Sequence, residues 1–392
     1  MGGGPGGLHV ATLLARQGLD VTLFEEHPSS GNPVHCTGVL AADAFDEFDL
    51  PRGVILNALR TARFHSPGGA SVTYTTESIE AVAIDRLHLD QLLFARAANA
   101  GATIECGRRV EDVGIDGDGV TLRFKDGDST RAKTCVLACG ASYVLQRRLG
   151  LGLPSIYMQS AQLELPAARG GDVELYFGRQ VAPNGFAWVV PVQRPDGWYA
   201  RVGLMCEQDS AGHFRRFLDR IASVWGIRSD SAVAPRQKLL PLAPLPRTYA
   251  PRLLAVGDAG GIVKATTGGG IYYSLLSASL AVRTLDHAFK RSAFDASTLA
   301  RYERTWHRRL GAEIRAQQRL RELAHGMADT DIEALFDLAR TDGVMPIVRE
   351  TARFNQHRGL IVALLRHPPA RRVFFGKLRG RPPRPIDVPQ LG

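Results

Sequence analysis

A chain of 392 residues with 45% hydrophobic and 22% charged side chains is long enough for a large core and one to three domains, and this composition excludes a fibrous or disordered design. The formal net charge is +9, and from Arg301 onward 18 Lys and Arg face 10 Asp and Glu, so the basic surplus is concentrated in the last quarter. No zinc-finger, RNP-like or aromatic–basic pattern accompanies it; nucleic acid is therefore not an expected partner, and a solvated helical face comes first, an anionic membrane surface second.

The opening MGGGPGGLHVATLLARQGLDVTLFEE carries Gly2, Gly4 and Gly7 at GxGxxG spacing. In a dinucleotide site these positions permit the tight turn, the backbone approach to a pyrophosphate, and close packing of helix on strand. Leu8, Ala11, Leu14 and Ala15 form a helical stripe that Gly18 ends, and DVTLFE reads as a strand closed by Glu25, placed to accept the ribose hydroxyls of an adenosine. No strand precedes the glycines, although Met1 stands where its last apolar residue belongs; an artificially shortened start is the favoured explanation, with a rearranged sheet or a weakened cofactor site as the others.

Cys36 follows in a Gly/Pro/Asn-rich loop, where a thiol near a cofactor cleft can position substrate or donate a proton; a core cysteine is the plainer alternative. DRLHLDQLLFARAANAG predicts a helix with Arg86 near its start, within reach of phosphates or flavin or simply at the surface. VEDVGIDGDGVTLRFKDGDSTRA predicts a β-meander, and TCVLACG a buried parallel strand. From 151 to 245 the strands VELYFG, GFAWVVPV and WYARVGLM predict an antiparallel sheet, on which Tyr176, Phe177, Phe186, Trp188 and Tyr199 are candidate walls of an apolar slot.

The decisive stretch is RLLAVGDAGGIVKATTGGGIYYSLLSASL. RLLAVG, closing on Gly257, reads as a strand with Asp258 immediately after its carboxyl end, and Gly268, Gly269, Gly270 and Ile271 open a long helix. Two phosphate-type elements some 250 residues apart call for a cofactor long enough to touch both, which is FAD: Asp258 for the ribityl–phosphate part, the second glycine cluster for the isoalloxazine. From about 291 the chain is expected to be helical, with PPRPIDVPQLG a disordered end; the helices read as a cap on the substrate domain, or as a membrane contact through RFNQHRGLIVALLRHPPARRVFFGKLRG.

At this point the chain resembles the geranylgeranyl reductase family of FAD-dependent oxidoreductases, which share the para-hydroxybenzoate-hydroxylase type of fold. GGGPGG with Glu25, GNPVHCTGVL with Cys36 and Gly38, GFAWVVP, and above all GDAGGIVKATTGGGI carry the resemblance. It implies saturation of C=C bonds in a polyprenyl lipid or isoprenoid quinone by hydride transfer from reduced flavin, with Cys36 and Gly38 beside the flavin and the Trp–Pro segment lining the substrate cavity. Cys36, then Tyr199, then water are the proton-donor candidates. NAD(P)H or a ferredoxin-like carrier is the expected external electron donor. A flavin-dependent monooxygenase acting on an aromatic or other small apolar substrate, and a flavin-free lipid-binding relic, are the competing readings.

The expected fold class is α/β (α+β mixed). Residues 1–60, 84–150 and 246–290 are expected to form a discontinuous Rossmann-like FAD-binding domain with a truncated first strand. Residues 61–83 and 151–245 form the substrate domain, and 291–392 a helical C-terminal region. Five irregularly spaced cysteines without a CxxC predict reduced thiols and no metal site. Nothing at the start reads as a signal peptide, and no apolar run reaches the about 18 residues of a spanning helix. A cytoplasmic location is expected, with peripheral contact on the inner face of the cell membrane as its extension; the oligomeric state is left open.

Overall fold

The computed structural model describes residues 1–227, 233–341 and 343–375; the end segment PPRPIDVPQLG lies outside them. The first glycines feed helix Pro5–Arg16, with proline at the first helical position, where its missing N–H removes no intrahelical bond. Leu8, Ala11 and Leu14 of this helix are buried in one core with Leu275, Ala278 and Val282 of the long helix Ile271–Arg291. Helix Arg86–Asn99 packs on the same core through Leu89, Leu93 and Ala97.

Strand Thr22–Glu25 runs parallel to Thr103–Cys106, and strand Cys135–Leu137 runs parallel to Leu253–Ala255. Residues 1 and 2 lie between these two ladders. The Met1 amine donates to the Val136 carbonyl at 3.0 Å and Ala138 N–H donates to the Met1 carbonyl at 2.8 Å, which is the bonding of a parallel bridge. Gly2 N–H donates to the Phe24 carbonyl on the other side at 2.8 Å. The N-terminal unit is therefore Rossmann-like with its first strand reduced to a stub. The meander is present as Val110–Ile115, Val120–Phe124 and Ser129–Ala132, all antiparallel.

A seven-stranded sheet forms the second layer. Its order is Arg236–Pro241, Tyr157–Pro166, Gly197–Cys206, Phe186–Arg194, Val173–Tyr176, Thr61–His65 and Ser71–Thr75. Side chains alternate between its faces. Ala161, Ala187, Val189, Tyr176, Val202 and Leu204 pack with Phe214, Phe217, Ile221 and Trp225 of the amphipathic helix Ser210–Trp225, which covers one face. The opposite face carries Ser160, Gln162, Val173, Leu175, Phe186, Trp188, Val190 and Leu240 and looks into a cavity.

Helices occupy most of 296–375. Leu299, Tyr302, Trp306, Leu310 and Ile314 join the nucleotide-side core. Tyr302 donates to the Ala255 carbonyl at 2.9 Å, and Trp306 Nε1 to Thr248 Oγ1 at 2.9 Å, so the first of these helices is tied to the parallel strands. Among the described residues no helix is long and apolar enough to cross a membrane.

Candidate functional site

One cavity of about 1050 Å³ runs from the first glycine turn to the apolar face of the seven-stranded sheet. At one end stand Gly2, Gly3, Gly4 and Glu25. Glu25 is buried, and its Oε2 accepts the Gly3 N–H at 2.5 Å while Oε1 accepts the His27 N–H at 2.9 Å. These donors fix the carboxylate at the end of its strand, facing the turn. Gly4 has open space where a Cβ would point, so any side chain there would enter the cavity. Gly7 lies behind the turn, its Cα against the Gly2 carbonyl, which leaves no room for a Cβ and holds helix close to strand.

Midway, the loop before strand Val39–Ala41 places Cys36 and Gly38 in the wall. The Cys36 sulfur accepts the Gly38 N–H at 3.3 Å. Arg86, at the start of its helix, also lines the cavity and pairs with Asp90 at 2.9 Å. Burial opposes the Arg86 charge, but Asp90 and the neighbouring Cys36 outweigh it and hold the guanidinium above its ordinary range. Its Nε is buried without a protein acceptor, a donor that a bound group can satisfy. Gly38 has φ +69°, and a Cβ there would sit 2.6 Å from Arg201 Nη1, so backbone conformation and a buried arginine both require glycine.

Asp258 follows strand Leu253–Ala255 on a tight turn that Tyr143 and Gln146 hold through the Asp258 and Ala259 carbonyls. Its Oδ2 lies 3.1 Å from Lys238 Nζ, offered by the edge strand of the seven-stranded sheet. A Cβ on Gly270 would come within 2.6 Å of Asp258 Oδ1, and one on Gly268 within 2.8 Å of Leu240, so the second glycine cluster lies directly against both. Gly268, Gly269, Gly270 and Ile271 all line the cavity; Gly257 lies behind, against Ser274.

At the far end Phe186 and Trp188 share a face, with ring centroids 5.7 Å apart, beside Val173, Leu175 and Val190. Three aromatic candidates stand outside the lining: Phe177, whose ring packs 6.0 Å from Phe186 and 6.1 Å from Phe336, Tyr176 and Tyr199. Tyr176 alternates with Leu175, so it turns to the opposite face of the sheet, stacks on His65 at 4.3 Å and bonds Glu174. Tyr199 shares the face of Trp188 but sits at the distant end of its strand, where its hydroxyl donates to Asp196 at 2.6 Å; neither tyrosine lines the cavity.

Several lining residues escaped the sequence reading. Lys238 and Gln162 had no motif to mark them. Lys264 did stand inside GDAGGIVKATTGGGI, and a lone basic residue within a glycine-rich turn was the available signal. Lys264 is buried, which lowers its pKa from 10.5 to about 7 against the opposing pull of Asp43 and Glu313. Residues 352–355, His357 and Leu360 of the C-terminal region also line the cavity and had no sequence signature.

The chain is similar to known proteins over most of its length. Residues 1–47 match the family described as NAD(P)-binding Rossmann-like domain. The chain is 29% identical over 362 residues to digeranylgeranylglycerophospholipid reductase 2 of Methanothermobacter thermautotrophicus, covering 86% of this chain and 89% of that protein. Among solved structures, a geranylgeranyl bacteriochlorophyll reductase-like protein from Thermoplasma acidophilum superposes with a TM-score of 0.81 at 21% identity, over 96% of this chain and 97% of that one. Halogenase PltM in complex with phloroglucinol and FAD superposes with a TM-score of 0.66 at 14% identity, over 97% and 92% of the two chains. The chain thus has a Rossmann-like NAD/FAD-binding domain, shares its overall fold with these solved structures, and is related to the digeranylgeranylglycerophospholipid reductases.

Proposed function

We propose that this chain is an FAD-dependent reductase that saturates C=C bonds of a polyprenyl lipid or isoprenoid quinone. The observation that carries the reading is the continuity of the cavity: Glu25, Asp258 and both glycine clusters open into the same space as the Phe186–Trp188–Leu175 wall. The residues present fit FAD. Arg86 lines the cavity with a buried Nε that has no hydrogen-bond partner, and the Gly4 position is kept clear of side chain. When bound and reduced, FAD supplies a hydride to one carbon of the alkene.

The chain's own residues do the rest. Glu25 accepts the adenosine ribose hydroxyls, Arg86 and Asp258 hold the middle of the cofactor, and the main chain at 268–271 meets the flavin edge. The Phe186–Trp188 wall excludes water and aligns the prenyl chain. The Cys36 thiol gives the proton to the second carbon. Tyr199, spoken for by Asp196, has no part in this. Between turnovers Cys36 would recover its proton from solvent, and the reducing equivalents would come from NAD(P)H as hydride, or from a ferredoxin-like carrier as two electrons with a proton from solvent. In this reading 1–60, 84–150 and 246–290 bind FAD, 61–83 and 151–245 bind substrate, and the basic helical region from 291 rests on the cytoplasmic face of the membrane that stores the lipid.

Digeranylgeranylglycerol phospholipid is the first substrate to try, since related reductases are named for it. Incubation under nitrogen with FAD and dithionite should give lipid heavier by two hydrogens per saturated bond. A product that forms only with dioxygen and gains one oxygen atom would contradict the proposal and favour a monooxygenase.

A further inference from the structure

The C-terminal segment at 352–357 is fastened to the second glycine cluster by a cluster of buried polar groups that the proposed chemistry does not use. Lys264 Nζ donates to the Phe354 carbonyl at 3.0 Å and lies 3.4 Å from Asn355 Oδ1. The same nitrogen is 4.0 Å from the centre of the Phe354 ring, a distance at which its protonated form makes a cation–π contact. Two residues on, Thr266 Oγ1 and His357 Nδ1 are 2.7 Å apart, and His357 Nε2 is 3.0 Å from the Phe354 carbonyl. A carbonyl can only accept, so Nε2 carries the imidazole proton and Nδ1 accepts from the threonine hydroxyl.

Other elements complete the fastening. Asn355 Nδ2 donates to Asp43 at 3.1 Å, and Glu313 of helix Ala312–Ala324 accepts the Arg358 N–H at 3.0 Å. On the turn side, a Cβ on Gly269 would sit 2.9 Å from Lys264 Cε, so the lysine stem passes directly beneath the turn. Lys264, Phe354, Asn355 and His357 all border the cavity.

We propose that Phe354 is a specificity-determining residue at the end wall of the substrate chamber, and that Lys264 is the positioning residue that sets the distance of this wall from the flavin-side glycine turn. The inference rests on the reading of the cavity as a prenyl-reductase site. A rigid aromatic wall at fixed distance from the turn limits how far a prenyl chain can advance, and so selects which double bond comes to rest beside the flavin. The ammonium acts through the wall and touches neither substrate nor reacting carbon.

The test uses the FAD-loaded full chain as wild type, Lys264→Met and Phe354→Ala. Each is assayed anaerobically with farnesyl and geranylgeranyl ethers of glycerol phosphate, and amide exchange of 352–358 is followed by mass spectrometry. Lys264→Met should keep its FAD, raise KM about tenfold with kcat changed far less, and exchange faster across 352–358. Phe354→Ala should shift the kcat/KM ratio between the two chain lengths by about tenfold or more, the scale of discrimination by hydrocarbon size. Unchanged KM and unchanged exchange in Lys264→Met would overturn the positioning role. An unchanged chain-length ratio in Phe354→Ala would overturn the specificity role. If the wild type reduces neither lipid, the reductase reading fails separately. Amide exchange still decides the tether in that case, and perturbation of the flavin spectrum by each lipid decides the wall.

Discussion

Trp188 keeps its place on the cavity wall because Gly203, opposite it on the neighbouring strand, has no side chain: a Cβ there would lie 2.5 Å from the indole. Gly203→Ala should therefore cost about 1–3 kcal/mol through overpacking, measured by urea unfolding, and should weaken substrate binding before cofactor binding. Glu25 offers the converse case, a single carboxylate with one expected ligand. Glu25→Gln should loosen FAD by about tenfold, the scale of one hydrogen bond to a charged group, in a fluorescence titration. Acid sensitivity also has an address. Burial lowers His9 and His357 from 6.5 to about 4. Between those values the unfolded chain binds more protons than the folded one, so stability falls as pH drops from about 6.5 toward 4. Replacing both by Gln should flatten that fall in pH-dependent thermal melts.

The helix Ser210–Trp225 illustrates how an element is both started and used. Asp209 caps it by accepting the Gly212 N–H at 3.0 Å, from a left-handed conformation with φ +49°. Asp209→Ala should cost about 1 kcal/mol, while Asp209→Gly should cost only a few tenths, since glycine tolerates that φ; thermal denaturation of the pair checks this. Elements of this kind were legible in the sequence: the glycine turn and helix Pro5–Arg16, the meander, and strand Leu253–Ala255 just before Asp258 all stand where periodicity and turn residues put them. Phe186 and Trp188 share the cavity face for the period-2 reason that sequence supplies. Tyr176 was misplaced because both faces of its strand carry large apolar side chains, Val173 and Leu175 on one and Tyr176 on the other, so hydrophobicity did not say which face held the cavity. That a strand position falls at Met1 was legible in the sequence. Its bridge to Val136 and Phe24 was not, because long-range pairing leaves no mark in local pattern.

At the scale of the molecule, the cavity is assembled from segments hundreds of residues apart, and the helical C-terminal region supplies part of its wall. This is why Lys264 and Phe354 escaped the sequence reading: the lysine has meaning only once a segment some ninety residues later is laid against it. The seven-stranded sheet, covered on one face by a helix and open on the other to the cavity, sets the apolar chamber against the dinucleotide end. In the proposed reaction one bound flavin would pass its hydride directly to a prenyl double bond in that shared space. The measurement that tests it most directly is a single turnover: the FAD-loaded protein is reduced under argon, mixed with digeranylgeranylglycerol phospholipid, and followed by flavin absorbance and lipid mass. Reoxidation of the flavin should be matched one for one by double bonds saturated. A flavin that stays reduced until dioxygen is admitted would contradict it.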